Sequence, residues 1–320
     1  MMTEEGLVTG NTGSRYQVEL ADGRTVTCAA KGNLRLKGVR TTNPVAVGDR
    51  VAVATDGSRQ PATQDVAYIT EILPRKNYII RRASNLSKES HILAANIDCV
   101  MLVASLSQPV TSTTFIDRFL ATAEAYGVPA VLVINKTDLL TDAQDRDLLE
   151  AVEYLYSSIG YSVVATSAKT GEGLDRLRET ASGRITLLSG NSGVGKSSLI
   201  NALVPDARLR TAVISDVHQT GMHTTTFSRM YDLPGGGRLI DTPGVKGFGP
   251  IDFDRHEVAH FFPEIFSESA CCRFGDCTHT GEPGCAVTKA VEENRIASSR
   301  YASYMSILED DASDTRGKYR

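Results

Sequence analysis

Eight consecutive residues, Gly190, Asn191, Ser192, Gly193, Val194, Gly195, Lys196 and Ser197, carry the sharpest chemical signal in the chain. Glycines at this spacing let successive backbone N–H groups turn inward around phosphate oxygens, and a helix that follows adds the positive end of its dipole. Lys196 is then placed to reach the β- and γ-phosphates of a nucleoside triphosphate and Ser197 to ligate Mg²⁺, with Ser198 completing the cradle. Asn135, Lys136, Thr137 and Asp138 read as a guanine-selecting loop. A carboxylate at Asp138 accepts from guanine N1–H and from the 2-amino group. Adenine has neither donor and would leave the acceptor unpaired. Asn135 braces the loop and the purine edge, while the Lys136 stem packs over the ring. Ser167, Ala168 and Lys169 follow the next apolar run and match a second base-contacting loop.

Downstream, Asp241 to Gly244 closes a strand-like run. Asp241 is expected to hold Mg²⁺ through water, and the Gly244 N–H to sense the γ-phosphate. Between these motifs, Gly221 to Thr226 sits where a mobile switch belongs. One of Thr224, Thr225 and Thr226 completes the Mg²⁺ shell; Thr225 is the working assignment, although spacing does not choose among them. Val245 stands where Ras-like enzymes commonly place a water-orienting Gln. Unassisted turnover is then on the order of 10⁻⁴ s⁻¹, or another group takes over. His223 in the switch is the catalytic candidate. In Ras-like enzymes the phosphate loop precedes the base-reading loop. Here that order is reversed, which points to a circularly permuted chain.

Cys272, Cys277, His279 and Cys285 form a Cys₃His set within a short polar loop, a standard tetrahedral zinc donor set. Such a site supplies on the order of 10 kcal/mol of local folding energy to a segment with no core of its own. Cys271 is left over and could replace Cys272 by a register slip. Cys28 and Cys99 fall in strand patterns and read as core.

These residues need elements to hold them. Tyr16–Leu20 and Thr25–Ala29 flank Asp22-Gly23, a hairpin signal. Asp49–Val53 and Tyr68–Leu73 add strands, and five short strands fit an OB-like barrel over residues 1–74. Lys31, Arg35, Lys37, Arg40 and Arg50, with Asp49 the lone acid from 31 to 50, and then Arg75, Lys76, Arg81 and Arg82, form basic clusters. On such a barrel they read either as a nucleic-acid contact or as a solvated loop. Over residues 75–250, apolar runs (99–106, 130–135, 162–166, 185–189) alternate with helical patterns (113–126, 142–159, 173–181, 196–203). That alternation predicts a parallel sheet with helices on both faces. Phe227–Asp232 and Arg238–Asp241 follow as a strand pair. Residues 251–320 hold the cysteine cluster, one amphipathic helix from Ala286 to about Leu308, and a frayed polar end from Asp310. The expected class is multi-domain α/β: an N-terminal OB-like barrel, a permuted P-loop GTPase domain, and a C-terminal zinc-binding helical domain.

With 320 residues, 41% hydrophobic and 22% charged, the composition is that of an ordinary soluble protein. A net charge of −4 argues against a chain that coats nucleic acid indiscriminately, though it permits a local basic patch. No apolar run is long enough to span a bilayer. No signal-like start precedes the barrel, so a cytoplasmic location is expected, as the crowded cysteines also suggest. A monomer is the default.

Together these motifs resemble the circularly permuted GTPases of small ribosomal subunit biogenesis, the RsgA family. The resemblance covers nearly the whole chain, including Val47–Val51 and Ile72–Asn77. It implies binding of GTP and GDP, contact with the 30S subunit and its 16S rRNA late in assembly, subunit-stimulated hydrolysis, and release of maturation factors. Met222 departs from the Arg usual in that family's switch. An RNA-binding adaptor with incidental hydrolysis is the alternative, and Val245 gives it weight. Because the zinc segment follows the γ-phosphate-sensing element directly, switch ordering is expected to reposition it.

Overall fold

Alternation of side chains makes Tyr16–Leu20 a half-buried strand, with Tyr16, Val18 and Leu20 turned inward. The computed structural model describes residues 2–13, 15–31, 34, 44–55, 67–82, 90–209, 228–241 and 254–317. That strand, β2, lies between β1 (Met2–Asn11) and β3 (Thr25–Ala30). β4 (Arg50–Thr55) and β5 (Ala67–Ile72) extend the order to β1-β2-β3-β5-β4. β4 then pairs back onto β1 from Met2↔Thr55 to Leu7↔Arg50, so the barrel closes. Val8, Val18, Cys28, Val51, Val53 and Ile69 fill it. The fifth strand that the sequence left unplaced is β1, whose glycines and acids dilute the alternating pattern.

β1 also leaves the barrel. Its register shifts between Val8 and Gly10, and beyond that bulge Gly10 pairs with Arg229 while Asn11 N donates to Ser228 O at 3.1 Å. A bulge bends one strand, and through it the barrel strands run on into the rest of one eleven-stranded sheet. Arg238 Nη2 donates to both carboxylate oxygens of Glu19, at 2.8 and 2.9 Å, and so ties β2 to the strand that Arg238 opens.

A hairpin that the sequence reading did not anticipate, β6 (Tyr78–Arg82) and β7 (Ser90–Ala95), follows the barrel. Ile79 and Ala94 enter the main core. Arg75 is not a free cation for nucleic acid. It is clamped on buried Asp49, with both carboxylate contacts at 2.6 Å, and on the Pro44 carbonyl. Lys76 pairs with Asp98 at 2.7 Å. The lone acid of the basic stretch thus consumes one of the cations assigned to the second cluster. Arg35, Lys37 and Arg40 lie outside the described residues.

β8 (Cys99–Ala104) is buried along its whole length. Val100, Leu102 and Ala104 join one apolar cluster, and Cys99, Met101 and Val103 the other. A strand covered on both faces must read as a continuous apolar run. Parallel to it run β9 (Ala130–Asn135), β10 (Ser162–Thr166), β11 (Ile185–Gly190) and β13 (Arg238–Asp241), in the order β10-β9-β8-β11-β13. β12 (Arg229–Asp232) is antiparallel to β13 and leads to the barrel. Helices α1 (Thr113–Ala125) and α2 (Ala143–Ser158) cover one face through Ile116, Phe119, Leu120, Val152 and Tyr156. Helices α3 (Leu174–Ala181) and α4 (Lys196–Leu203) cover the other through Leu177, Leu199 and Ile200.

The C-terminal unit departs from expectation in two places. The predicted single helix is two: α6 (Ala286–Glu292) and α7 (Ser298–Gly317), after a short α5 (Pro263–Ser269). Asn294 adopts φ +57°, and the N–H groups of Arg295 and Ile296 both turn back to Ala290 O, which ends α6. Nor is the end frayed at Asp310: α7 continues to Gly317, as no Gly or Pro interrupts it earlier.

Buried charge holds this unit on α1. Asp117 accepts from Tyr156 Oη (2.8 Å), Arg300 Nη1 (2.9 Å) and Ser303 Oγ (2.6 Å), while Arg300 also grips Glu264 at 2.7 and 3.1 Å. Asp117 and Arg300 are both fully buried. Separating them would strand a charge, at about 3–5 kcal/mol. That limits the freedom to swing with the switch that the chain order suggested.

Candidate nucleotide site and metal centre

The base-reading loop, the second base loop and the phosphate loop meet at the carboxyl ends of β9, β10 and β11, where open α/β sheets bind ligands. Asn135, only 2% exposed, joins all three. Its Nδ2 donates to Val194 O at 2.8 Å in the phosphate loop, and its Oδ1 accepts from Ala168 N at 3.2 Å. Gly195 must be glycine here: a Cβ would sit 2.3 Å from Asn135 Nδ2, and φ is +97°. The segments that the sequence presents in reverse order therefore converge at one end of the sheet.

Asp138 is poised as an anion. Ser167 Oγ donates to it at 2.7 Å and Lys169 Nζ lies at 3.4 Å, holding the carboxyl below its ordinary range despite some burial. Thr137 Oγ1 donates to Glu172 at 2.8 Å, a brace that no motif had flagged. The Lys136 ammonium donates to the Gln108 carbonyl, and burial lowers its pKa.

In the phosphate loop, Lys196 Nζ donates to the carbonyls of Gly190 (2.6 Å) and Asn191 (2.7 Å). Burial lowers its pKa, and Asp241 partly counteracts this. Asp241 closes β13 beside Leu188 of β11, and burial raises its carboxyl, with Lys196 opposing. A half-buried, incompletely neutralised carboxylate beside a lysine, at the mouth of an anion cradle, suits a site that receives a hydrated divalent cation together with phosphate. Ser197 and Ser198 open α4, with Ser192 and Gly193 before them in the loop. His223, Thr224, Thr225, Thr226, Gly244, Val245 and Met222 lie outside the described residues.

The C-terminal donors also converge. The ligand atoms of Cys272, Cys277, His279 and Cys285 all lie within 4.8 Å of one another. Cys272 Sγ is 3.6 Å from His279 Nδ1 and 3.9 Å from Cys285 Sγ, which is 3.5 Å from the same nitrogen. A tetrahedron with bonds of about 2.3 Å has edges of about 3.8 Å, so the set fits a metal ion. Cys271 is exposed and outside the set, so the register-slip alternative is not adopted. The backbone N–H of Ala286 points at Cys272 Sγ (3.3 Å) and that of Thr288 at Cys285 Sγ (3.5 Å), as thiolates require. Glu282, which the sequence reading missed, shapes the loop. It accepts from Thr278 N (2.8 Å), Thr278 Oγ1 (2.7 Å) and Thr280 N (2.7 Å). Burial alone would raise its carboxyl, yet these bonds bring it down to about 2. Tyr304 Oη donates to Thr278 O at 2.8 Å and so ties the loop to α7.

Comparison with known proteins agrees with this geometry. Residues 72–250 match the family model described as RsgA GTPase, and residues 5–61 match that of the RsgA N-terminal domain. A small ribosomal subunit biogenesis GTPase RsgA of Porphyromonas gingivalis is 59% identical over 312 residues, covering 96% of this chain and 97% of its own length. That of Bacteroides fragilis is 58% identical, covering 99% of each. The crystal structure of YjeQ from Thermotoga maritima superposes with a TM-score of 0.74 at 35% identity, covering 97% of this chain and 99% of that one. YloQ, described as a circularly permuted GTPase, gives 0.71 at 28%, covering 98% and 96%. Among the described residues no helix is long and apolar enough to cross a membrane. On sequence, motif order and three-dimensional arrangement alike, the chain belongs to the RsgA GTPase family.

Proposed function

We propose that this GTPase assists late maturation of the small ribosomal subunit, binding the 30S particle with GTP and leaving after hydrolysis. The observation that carries the reading is Asn135, whose amide ties the guanine-selecting loop to Val194 of the phosphate loop and to Ala168 of the second base loop. Asp138 reads the base, Gly190 to Ser198 hold the phosphates, and Ser197, Asp241 and Thr225 hold Mg²⁺. His223 orients the attacking water in place of the Gln that Val245 displaces, and Gly244 senses the γ-phosphate.

The Cys272, Cys277, His279 and Cys285 centre takes Zn²⁺, whose thiolate bond length matches the spacing of the donors. A metal bound there supplies folding energy to the loop. We take the barrel (residues 1–74) and the zinc unit (251–320) as contacts for 16S rRNA, flanking the GTPase unit (75–250) of a cytoplasmic monomer. Exposed Lys31, Arg50 and Tyr68 on the barrel support its share: cations for phosphate, and an aromatic on which a base can stack.

The test is GTP turnover titrated with purified 30S particles, for the natural chain and for His223→Ala. Stimulation is expected, and its loss in the variant. An unstimulated natural chain would instead indicate an adaptor with incidental hydrolysis.

A further inference from the structure

The loop joining β8 to α1 carries none of the recognised motifs, yet it touches two of them. Its stem is closed: Thr111 N donates to Ser105 O at 2.8 Å, and Ser105 N to Thr111 Oγ1 at 3.0 Å, between two buried residues. Ser105 Oγ donates to the Ser107 carbonyl, and Ser112 Oγ accepts from Phe115 N to cap α1. The loop is thus a fixed spur. At its tip Gln108 holds φ +39°, and its carbonyl receives the Lys136 ammonium. The ring of the next residue, Pro109, lies against the phosphate loop. A Cβ built on Gly193 would be 3.3 Å from Pro109 Cδ and 3.5 Å from Cγ. The Lys136 stem meanwhile crosses Gly195, where a Cβ would lie 3.9 Å from Lys136 Cε.

We propose that Gln108 and Pro109 are positioning residues for guanine-nucleotide binding: the Gln108 carbonyl fixes Lys136 beside the base, and Pro109 buttresses the phosphate loop at Gly193. The inference rests on the nucleotide-site reading above. A free lysine side chain samples many rotamers and loses that freedom on binding; one already anchored does not. Gly193, at φ +83° with no side chain, has backbone freedom that an apolar ring pressed against it restricts. Base and the α- and β-phosphates are common to GDP and GTP. The contribution therefore falls equally on both, in the ground state, and leaves the turnover of bound GTP unchanged.

The experiment measures fluorescent GDP and non-hydrolysable GTP binding to full-length Pro109→Ala, together with saturated turnover on small subunits. Both dissociation constants are expected to rise about tenfold, with KM following and kcat within about twofold. In a Lys136→Met background the Pro109→Ala effect is expected to shrink, because the two act through one spur. Pro109→Val restores an apolar branch against Gly193 and is expected to bind more tightly than Pro109→Ala, which separates positioning from a general loss of fold. Unchanged affinities for Pro109→Ala, a loss confined to kcat, full additivity with Lys136→Met, or no recovery in Pro109→Val would each overturn the proposal. Failure of the natural chain to bind GDP would instead overturn the site reading itself.

Discussion

Replacing Asn135 with Ala should weaken guanine-nucleotide binding about a hundredfold, a magnitude that follows from its two bonds. Truncation removes the donor to Val194 O (2.8 Å) and the acceptor for Ala168 N (3.2 Å). Each group left unsatisfied in a buried setting costs about 1–3 kcal/mol. Ala168 is only partly buried, so its share belongs at the low end. A combined loss of about 3 kcal/mol corresponds to roughly two decades in Kd. Titration with a fluorescent GDP analogue reads the affinity, and thermal unfolding without nucleotide reads how much of the loss falls on the fold. Asn135→Asp sharpens the test. It keeps an acceptor for Ala168 N but sets a carboxylate against the Val194 carbonyl, so it should bind no better than the Ala variant. A Kd for Asn135→Ala within threefold of the natural chain, or recovery in Asn135→Asp, would refute the reasoning that this one amide assembles the three loops.

Asp138→Asn should shift preference from guanine toward xanthine nucleotides, measured by competition; unchanged GTP affinity would remove Asp138 from the base site. Asp241 gives a prediction about pH. Burial raises its folded pKa, so its ionisation opposes folding, and the associated stability is present below its unfolded pKa and lost as pH rises through the folded one. Asp241→Asn should therefore raise the melting temperature of nucleotide-free protein at pH 7, by about 2–4 °C per kcal/mol relieved, while abolishing Mg²⁺-dependent GTP binding. A lower melting temperature would refute this assignment of the strain. Chelation, or Cys277→Ser, should release one metal ion per chain and expose the C-terminal unit to protease while the barrel stays protected; unchanged proteolysis would mean that the metal does not order the loop. Glu282→Ala frees the backbone N–H groups of Thr278 and Thr280, and should raise the metal dissociation constant by about 10–100-fold in a chelator competition.

Chemistry carried by contiguous residues was legible in the sequence, because loops that grip phosphate or a purine edge use a few adjacent positions whose types are dictated by the ligand. The segments 135–138, 167–169 and 190–198 stood out that way, and the fold brings them together, as it does the four metal donors; the buried strands were legible too, since a run such as Cys99–Ala104 must be apolar throughout when both faces are covered. What the chain order could not reveal lies in partners far apart along it. Nothing near Asp117 indicates that it meets Arg300, 183 positions away, or that Arg75 is claimed by Asp49 and not left for nucleic acid. The split between α6 and α7 turned on one Asn in the left-handed region, a choice that helical periodicity does not register. The convergence at Asn135, the spur at Pro109 and the brace at Glu282 belong to the tertiary structure alone. Local sequence sets which groups can bond, while only the packed chain decides which of them come within 3 Å of each other.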